Sequence, residues 1–216
     1  MSFACLWMRV LMQIYANLAS SNGQTSLHIP AQKGNVDAVH FLVAAGANTN
    51  QTDNKGKIPL HCAVVQGHLD VVRTVIEAGS DINLTEKKGK ATLALAAAKG
   101  HWDLVRLLIA AGADPDLSGN RGKTPLQSAA KRGQLVVQVL VDAGADTNHS
   151  GHYHLTALQC AAKKGHLEIV RFLVEAGAQL HPFWGLSTFD LASKKRHFEV
   201  VHFLSAFEPR PGCCIC

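Results

Sequence analysis

Aromatic residues are scarce, with Phe, Tyr and Trp making up 6% of the 216-residue chain. So few rings leave the core to small and aliphatic side chains at close spacing, which favours helices packed tightly on helices. Charged residues are also few, at 17% against 47% hydrophobic, a balance that excludes a disordered or fibrous chain. Lysine and arginine exceed the acids by 21 − 16 = 5, too small an excess to identify a partner by itself. Six cysteines (Cys5, Cys62, Cys160, Cys213, Cys214 and Cys216) are too few and too unevenly spread for a disulfide scaffold. A reducing compartment is therefore expected, cytoplasmic or nuclear. The apolar stretch of residues 1–19 is broken by Arg9 and falls short of the roughly 20 uninterrupted apolar residues a bilayer requires. Arg9 also lies inside that stretch instead of ahead of it, unlike a secretory signal. The expectation is an N-terminal helix acting as a degenerate cap.

Equally absent are the constellations of catalysis. No nucleophile stands with a base, no pair of isolated carboxylates occurs, and Gly122-Lys-Thr lacks the rest of a phosphate-binding loop. The chain is expected to be no enzyme and to carry no cofactor. His149-Ser-Gly-His152-Tyr-His154 places three imidazoles close enough to meet on zinc, but no cysteine or carboxylate nearby completes a ligand set. It reads as an exposed, histidine-rich turn, and no metal is expected.

What is present is periodic. Gly34, Gly67, Gly100, Gly133 and Gly165 are spaced 33, 33, 33 and 32 residues apart, the mark of a repeat protein. Each follows one apolar helical stretch and precedes another, which ends at Gly46, Gly79, Gly112, Gly144 or Gly177. A glycine at a helix end suits a left-handed terminal turn. Turn-forming segments such as Asp53-Asn-Lys-Gly-Lys57 lie between units. Acids recur at Asp37, Asp70, Asp103, Glu168 and Glu199, near the starts of the second helices, where they complement the helix dipole.

The stretches Gly56-Lys-Ile-Pro-Leu-His-Cys-Ala-Val-Val-Gln-Gly-His-Leu-Asp-Val-Val72 and Gly122-Lys-Thr-Pro-Leu-Gln-Ser-Ala-Ala-Lys-Arg-Gly133 closely resemble the ankyrin repeat. The resemblance implies an all-α solenoid of paired antiparallel helices with projecting β-hairpin-like turns. It covers residues 20–207 in six units, near 20–52, 53–85, 86–118, 119–150, 151–181 and 182–207, with residues 1–19 before it and a cysteine-rich tail, 208–216, after it. Thr124-Pro125 should start a helix with a capping hydroxyl and a proline in the first turn. The alanine pairs Ala129-Ala130 and Ala161-Ala162 should let helices approach closely, and His61 should bond the adjoining turn.

Departures from the pattern carry expectations of their own. Pro30, in the first helix of the first unit, should kink that helix and leave a carbonyl unpaired. The fourth unit is one residue short between Gly133 and Gly144, so residues 135–141 must start differently or tighten locally. The sixth has Arg196 in place of glycine and polar Lys194, Lys195 and His202, as a terminal cap should.

The resemblance also implies that the turn tips and the exposed ends of the first helices line a concave, partner-binding face. Those positions hold 16 of the 21 basic residues: Lys33, Lys55, Lys57, Lys87, Lys88, Lys90, Lys99, Arg121, Lys123, Lys131, Arg132, Lys163, Lys164, Lys194, Lys195 and Arg196. Arg73, Arg106 and Arg171 fall on second helices. The expected role is a monomeric, non-catalytic adaptor binding an acidic or phosphorylated protein segment, with Tyr153, Phe183 and Trp184 as aromatic anchors. Recognition of a phosphate-bearing small molecule or nucleic acid is the alternative, although sparse stacking platforms argue against single-stranded nucleic acid.

Asn83 and Asn148 resemble the asparagines that the oxygen-sensing asparaginyl hydroxylase modifies in ankyrin repeats, while turn formation alone also explains them. Cys213 fits a loose prenylation pattern, and Cys214-Ile-Cys216 resembles the doubly prenylated ends of vesicle-traffic GTPases. Lipidation there would make the chain a membrane-tethered adaptor.

Overall fold

A computed structural model describes residues 3–118, 123–150, 155–181 and 187–207, with side chains described from Val10 onward. These residues form thirteen helices and no strand. An opening helix, α1 (Phe3–Asn17), precedes six helix pairs: α2 (His28–Lys33) and α3 (Val36–Ala44), α4 (Pro59–Gln66) and α5 (Leu69–Glu77), α6 (Thr92–Lys99) and α7 (Trp102–Ala110), α8 (Pro125–Arg132) and α9 (Val137–Asp142), α10 (Ala157–Ala162) and α11 (Leu167–Glu175), and α12 (Thr188–Lys194) and α13 (Phe198–Leu204). First helices pack on the first helices of adjacent units, and α3, α5, α7 and α9 pack in sequence behind them. The architecture is a solenoid, in which each unit meets only its neighbours.

The core is one apolar spine. Leu27, Leu60, Leu93, Leu126 and Leu158 are all buried at equivalent positions, and burying each side chain contributes about 1.5–3 kcal/mol. Ala129, Ala130, Ala161 and Ala162 are fully buried too, where a larger side chain would hold the helices apart. Helix starts are set by side chains. The Thr124 hydroxyl accepts from the Gln127 amide at 3.1 Å, while the Gln127 side-chain oxygen accepts from the Thr124 amide at 3.1 Å. Thr156 with Gln159 and Ser187 with Asp190 repeat this reciprocal cap.

Helix ends carry a second constraint that helix-end geometry alone does not reveal. Gly133 is left-handed at φ +70°, and a Cβ there would lie 2.8 Å from the ring of His166, which belongs to the next unit. His166 Nε2 reaches back to the Lys131 carbonyl at 3.3 Å. His68 bonds Gln32 O at 3.0 Å and His197 bonds Lys163 O at 3.1 Å in the same manner. The glycine therefore makes room for an imidazole that ties one unit to its predecessor.

A polar ladder runs along the turns after the second helices. Asn83 Oδ1 accepts from the Asp114 amide at 3.0 Å, Asn50 Oδ1 from Asp81 at 2.7 Å, and Asn148 Oδ1 from Gln179 at 2.7 Å. Asn17 continues the ladder, accepting from the Asn48 amide at 2.6 Å. Helix α1 is thus joined to the first unit at its last turn. Its side chains Ile14 and Tyr15, and Leu18 just beyond it, remain exposed.

Each irregular unit adjusts locally. Pro30 shortens its helix: α2 has 6 residues where α4 has 8. The helix starts later, so Pro30 lies in its first turn, where a missing amide hydrogen is tolerated. In the fourth unit α9 has 6 residues, and the chain enters it through Val137 N to Gln134 O and Gln138 N to Leu135 O, both 3.3 Å. These three-residue bonds are the local tightening expected of a unit one residue short. In the sixth, Arg196 adopts φ +58°, the one positive-φ non-glycine residue among those described, and Lys194 and Lys195 face solvent.

Candidate functional site

The projecting turns are built by short polar side chains. Asp53 Oδ1 accepts from the amides of Lys55 and Lys57, each at 2.8 Å, and Asp53 N donates to Lys57 O at 2.8 Å. Successive turns join through backbone bonds such as Lys87 N to Lys55 O at 3.0 Å. Isolated bridges, Ala19 with Thr25 and Thr85 with Ala91, are the residue of a hairpin. The Asp53 carboxylate is thus occupied by backbone, and Lys55 beside it projects outward. Lys55, Lys87, Lys88 and Lys90 are exposed.

In the first, second and fourth units a side chain of the first helix, at one place in the repeat, ties that helix to the next turn. His61 Nδ1 accepts from the Ile58 amide at 3.1 Å, and Nε2 donates to the Leu84 carbonyl at 3.0 Å. His28 reaches Lys57 O at 2.9 Å. Gln127 donates to His149 O at 2.9 Å and Leu155 O at 2.8 Å. Burial holds the His61 pKa below its usual value. The third unit has Ala94 at this position, with no polar atom to offer. Thr92, at the place of Pro59 and Pro125, is buried with its hydroxyl unpartnered.

The joint after that unit opens into a cavity of about 500 Å3 lined by Lys87, Lys88, Lys90, Ala94, Leu95, Ala98, Lys123, Ser128, Lys131 and Arg132. Among the described residues, six cations and no carboxylate face it. Glu86, just outside, is buried and pairs with Lys90 at 3.8 Å and Lys57 at 3.9 Å. Burial, with the charges of Lys131 and Lys163 behind it, lowers the Lys123 pKa, against a smaller opposing effect of Cys160. Burial likewise raises the Cys160 thiol, and pushes that of Cys62 up to about 11, so both remain protonated.

The structure therefore gathers some of the expected site residues and separates others. Lys87, Lys88, Lys90, Lys123, Lys131 and Arg132 converge on one cavity. Lys55 and Lys57 line a smaller one, about 150 Å3, together with Asp53. Lys163 lies toward Cys160 and Lys123, whereas Lys99 and Lys164 are exposed and line neither cavity. Asn83 and Asn148 belong to the ladder. Arg121, Tyr153, Phe183, Trp184 and Cys213 lie outside the described residues, as do His152 and His154. Among the described residues no group of side chains could hold a metal ion, and no helix is long and apolar enough to cross a membrane.

One surface was not anticipated. On the second helices of the last two units, Leu167, Arg171, Phe198, Glu199, His202, Phe203 and Ala206 line an open hollow of about 650 Å3. The Arg171 guanidinium stands 5.3 Å from the Phe203 ring centroid. Phe198 at 75% exposure is the signal that could have marked it. The hollow is larger than the basic cavity, but it holds one acid and one arginine instead of converging charge.

Comparison with known proteins agrees with the architecture. The family model for ankyrin repeats (3 copies) matches residues 7–86, 78–151, 93–183 and 136–212. The crystal structure of the human ASB11 ankyrin repeat domain is similar at 26% identity and a TM-score of 0.79, over 87% of this chain and 85% of that one. No curated protein matches the sequence. Ankyrin repeats are generally protein–protein interaction modules, and domains built from them are typically non-catalytic.

Proposed function

The chain belongs to the ankyrin-repeat family, and from that premise we propose that it is a non-catalytic adaptor whose basic face, formed by the turns and first helices, binds an acidic or phosphorylated protein segment. The carrying observation is the cavity lined, among the described residues, by six cations and no carboxylate. Charge gathered in a concavity focuses potential more than the same charge spread out, speeding association with an anionic partner. A reducing compartment suits the protonated, buried thiols of Cys62 and Cys160. Lipidation at Cys213, which would tether the adaptor, and hydroxylation of Asn83 and Asn148 are separate modifications that mass spectrometry of the cellular protein would detect.

The test uses poly-glutamate as an acidic probe. Association should be fast at low ionic strength and weaken steeply with salt, because the Debye length falls from about 10 Å at 0.1 M to about 3 Å at 1 M. Reversing Lys131 and Arg132 to Glu should slow association and leave the helical signal intact, since both side chains are exposed. Reversing Arg73 and Arg106, exposed on the second helices, is the matched control. Equal effects of the two double reversals would remove the proposal.

A further inference from the structure

The cavity at the joint of the third and fourth units differs from its counterpart two units earlier in both size and charge. Between the first and second units the equivalent space is about 150 Å3 and is lined by Gln24, Gln66 and Val65 where the larger cavity has Lys90, Arg132 and Lys131. The earlier space also holds Asp53, where the sequence has Gly119 two units later. A basic cavity is therefore not a periodic by-product of the fold. It coincides with the joint where Ala94 replaces the bridging imidazole or carboxamide, so the room a bridge would occupy is open. The chain keeps cations close together there at the expense of their mutual repulsion; the pKa of half-buried Lys123 is lowered chiefly by burial and further by the charge of Lys131.

Resting on the proposal that the basic face binds an acidic or phosphorylated segment, we infer that this cavity seats a phosphomonoester on a serine or threonine side chain of a partner protein, in the room that Ala94 leaves open. A phosphomonoester brings close to two negative charges and three acceptor oxygens at a single point, whereas a carboxylate brings one charge and two oxygens. Lys123, Lys131 and Arg132 from the fourth unit and Lys87 and Lys88 from the third approach that point from two units. The remaining lining suits the rest of such a side chain. Ala94, Leu95 and Ala98 offer an apolar floor for its carbon atoms, and Ser128 adds a hydroxyl. An acidic run alone would need cations strung along the face, and these converge.

Three peptides of one flexible Gly/Ser background, carrying phosphothreonine, glutamate or threonine at the centre, test this on the full chain. By isothermal titration the phosphothreonine peptide should bind about tenfold or more tightly than the glutamate peptide, and the threonine peptide should not bind. Replacing Lys131 and Arg132 by Ala should remove that preference, while the same change at Lys55 and Lys57 leaves it within about twofold. Ala94→Gln installs the carboxamide found at Gln127; it should weaken phosphothreonine binding about tenfold without lowering the melting temperature, which separates loss of the seat from loss of the fold. Equal binding of the phosphothreonine and glutamate peptides would overturn the inference while leaving the acidic-partner reading standing. Failure of all three peptides up to about 10 mM, together with failure of poly-glutamate, would overturn both. Tighter binding of oligothymidylate or of inorganic phosphate than of the phosphothreonine peptide would also overturn it, in favour of a phosphodiester or a free anion.

Discussion

The third and fourth units share a buried leucine, Leu93 or Leu126, and a glycine corner, Gly100 or Gly133, yet each is joined to its successor by different means. The fourth has a threonine cap, a proline at the first helical position, and a glutamine whose carboxamide bridges to two carbonyls of the next turn. The third has Ala91 at the cap position, an unpartnered Thr92 hydroxyl and the methyl of Ala94. Both nevertheless stack in the same array. Apolar stacking is thus sufficient to hold a unit in place, and the polar bridge is a separable addition whose absence leaves space. That space is where the cations of the candidate site converge.

The largest effects should not distinguish the two units. Leu93→Ala and Leu126→Ala should each cost about 2–5 kcal/mol in urea unfolding, because both side chains are buried in the same spine. A much smaller loss at Leu93 would mean that the third unit is not stacked like the fourth. Glycine corners come next. Gly112→Ala should show the left-handed strain alone, about 1–2 kcal/mol, since nothing lies within 4 Å of the added carbon. Gly133→Ala should cost more, because the His166 ring must also move.

The bridge itself should separate the units. Gln127→Ala should cost about 1–2 kcal/mol by leaving two carbonyls and the cap unpaired, whereas Thr92→Val should stabilise by about 1 kcal/mol by removing a buried, unpartnered hydroxyl. Both changes can be read by thermal unfolding. The smallest effect concerns acid. Burial lowers the His61 pKa, so the folded chain binds fewer protons there than the unfolded one. Its contribution is present above the ordinary imidazole value of about 6.5 and is lost as pH falls toward the lowered folded value. His61→Gln, which can make the Gln127 kind of bridge, should flatten the decline in melting temperature between about pH 7 and pH 5.

Much of this organisation was legible in residue spacing. The recurrence of glycine, of Leu60, Leu93 and Leu126, and of the acids at the second-helix starts is one-dimensional, so reading along the chain finds it. Local departures were legible for the same reason, as with the tightened entry into α9. Pro30 was legible as a disruption, while the shortening of its helix at the start depends on which hydrogen bonds the first turn can give up. The bridges were less legible. Asn17, Asn50 and Asn83 recur at the repeat period, but turn propensity explains asparagine well enough to conceal a ladder between units. The basic cavity was legible as charge but not as a place, since its convergence depends on what Ala94 leaves out of a joint between two units.

The glycine corners also give the array a reading direction. His166 and His197 fill the space that Gly133 and Gly165 leave open, so the residue allowed at a corner is dictated by the unit that comes after it. Arg196 stands at the corner of the sixth unit in the strained left-handed conformation, and no later imidazole packs on it among the described residues. It acts as punctuation, a position where the rule for joining onward is suspended. Grafting another unit after residue 207 should therefore require Arg196→Gly first, whereas a unit added ahead of residue 20 can carry its own glycine corner and an asparagine placed as Asn17 is. The two ends of this solenoid are not interchangeable sites of growth.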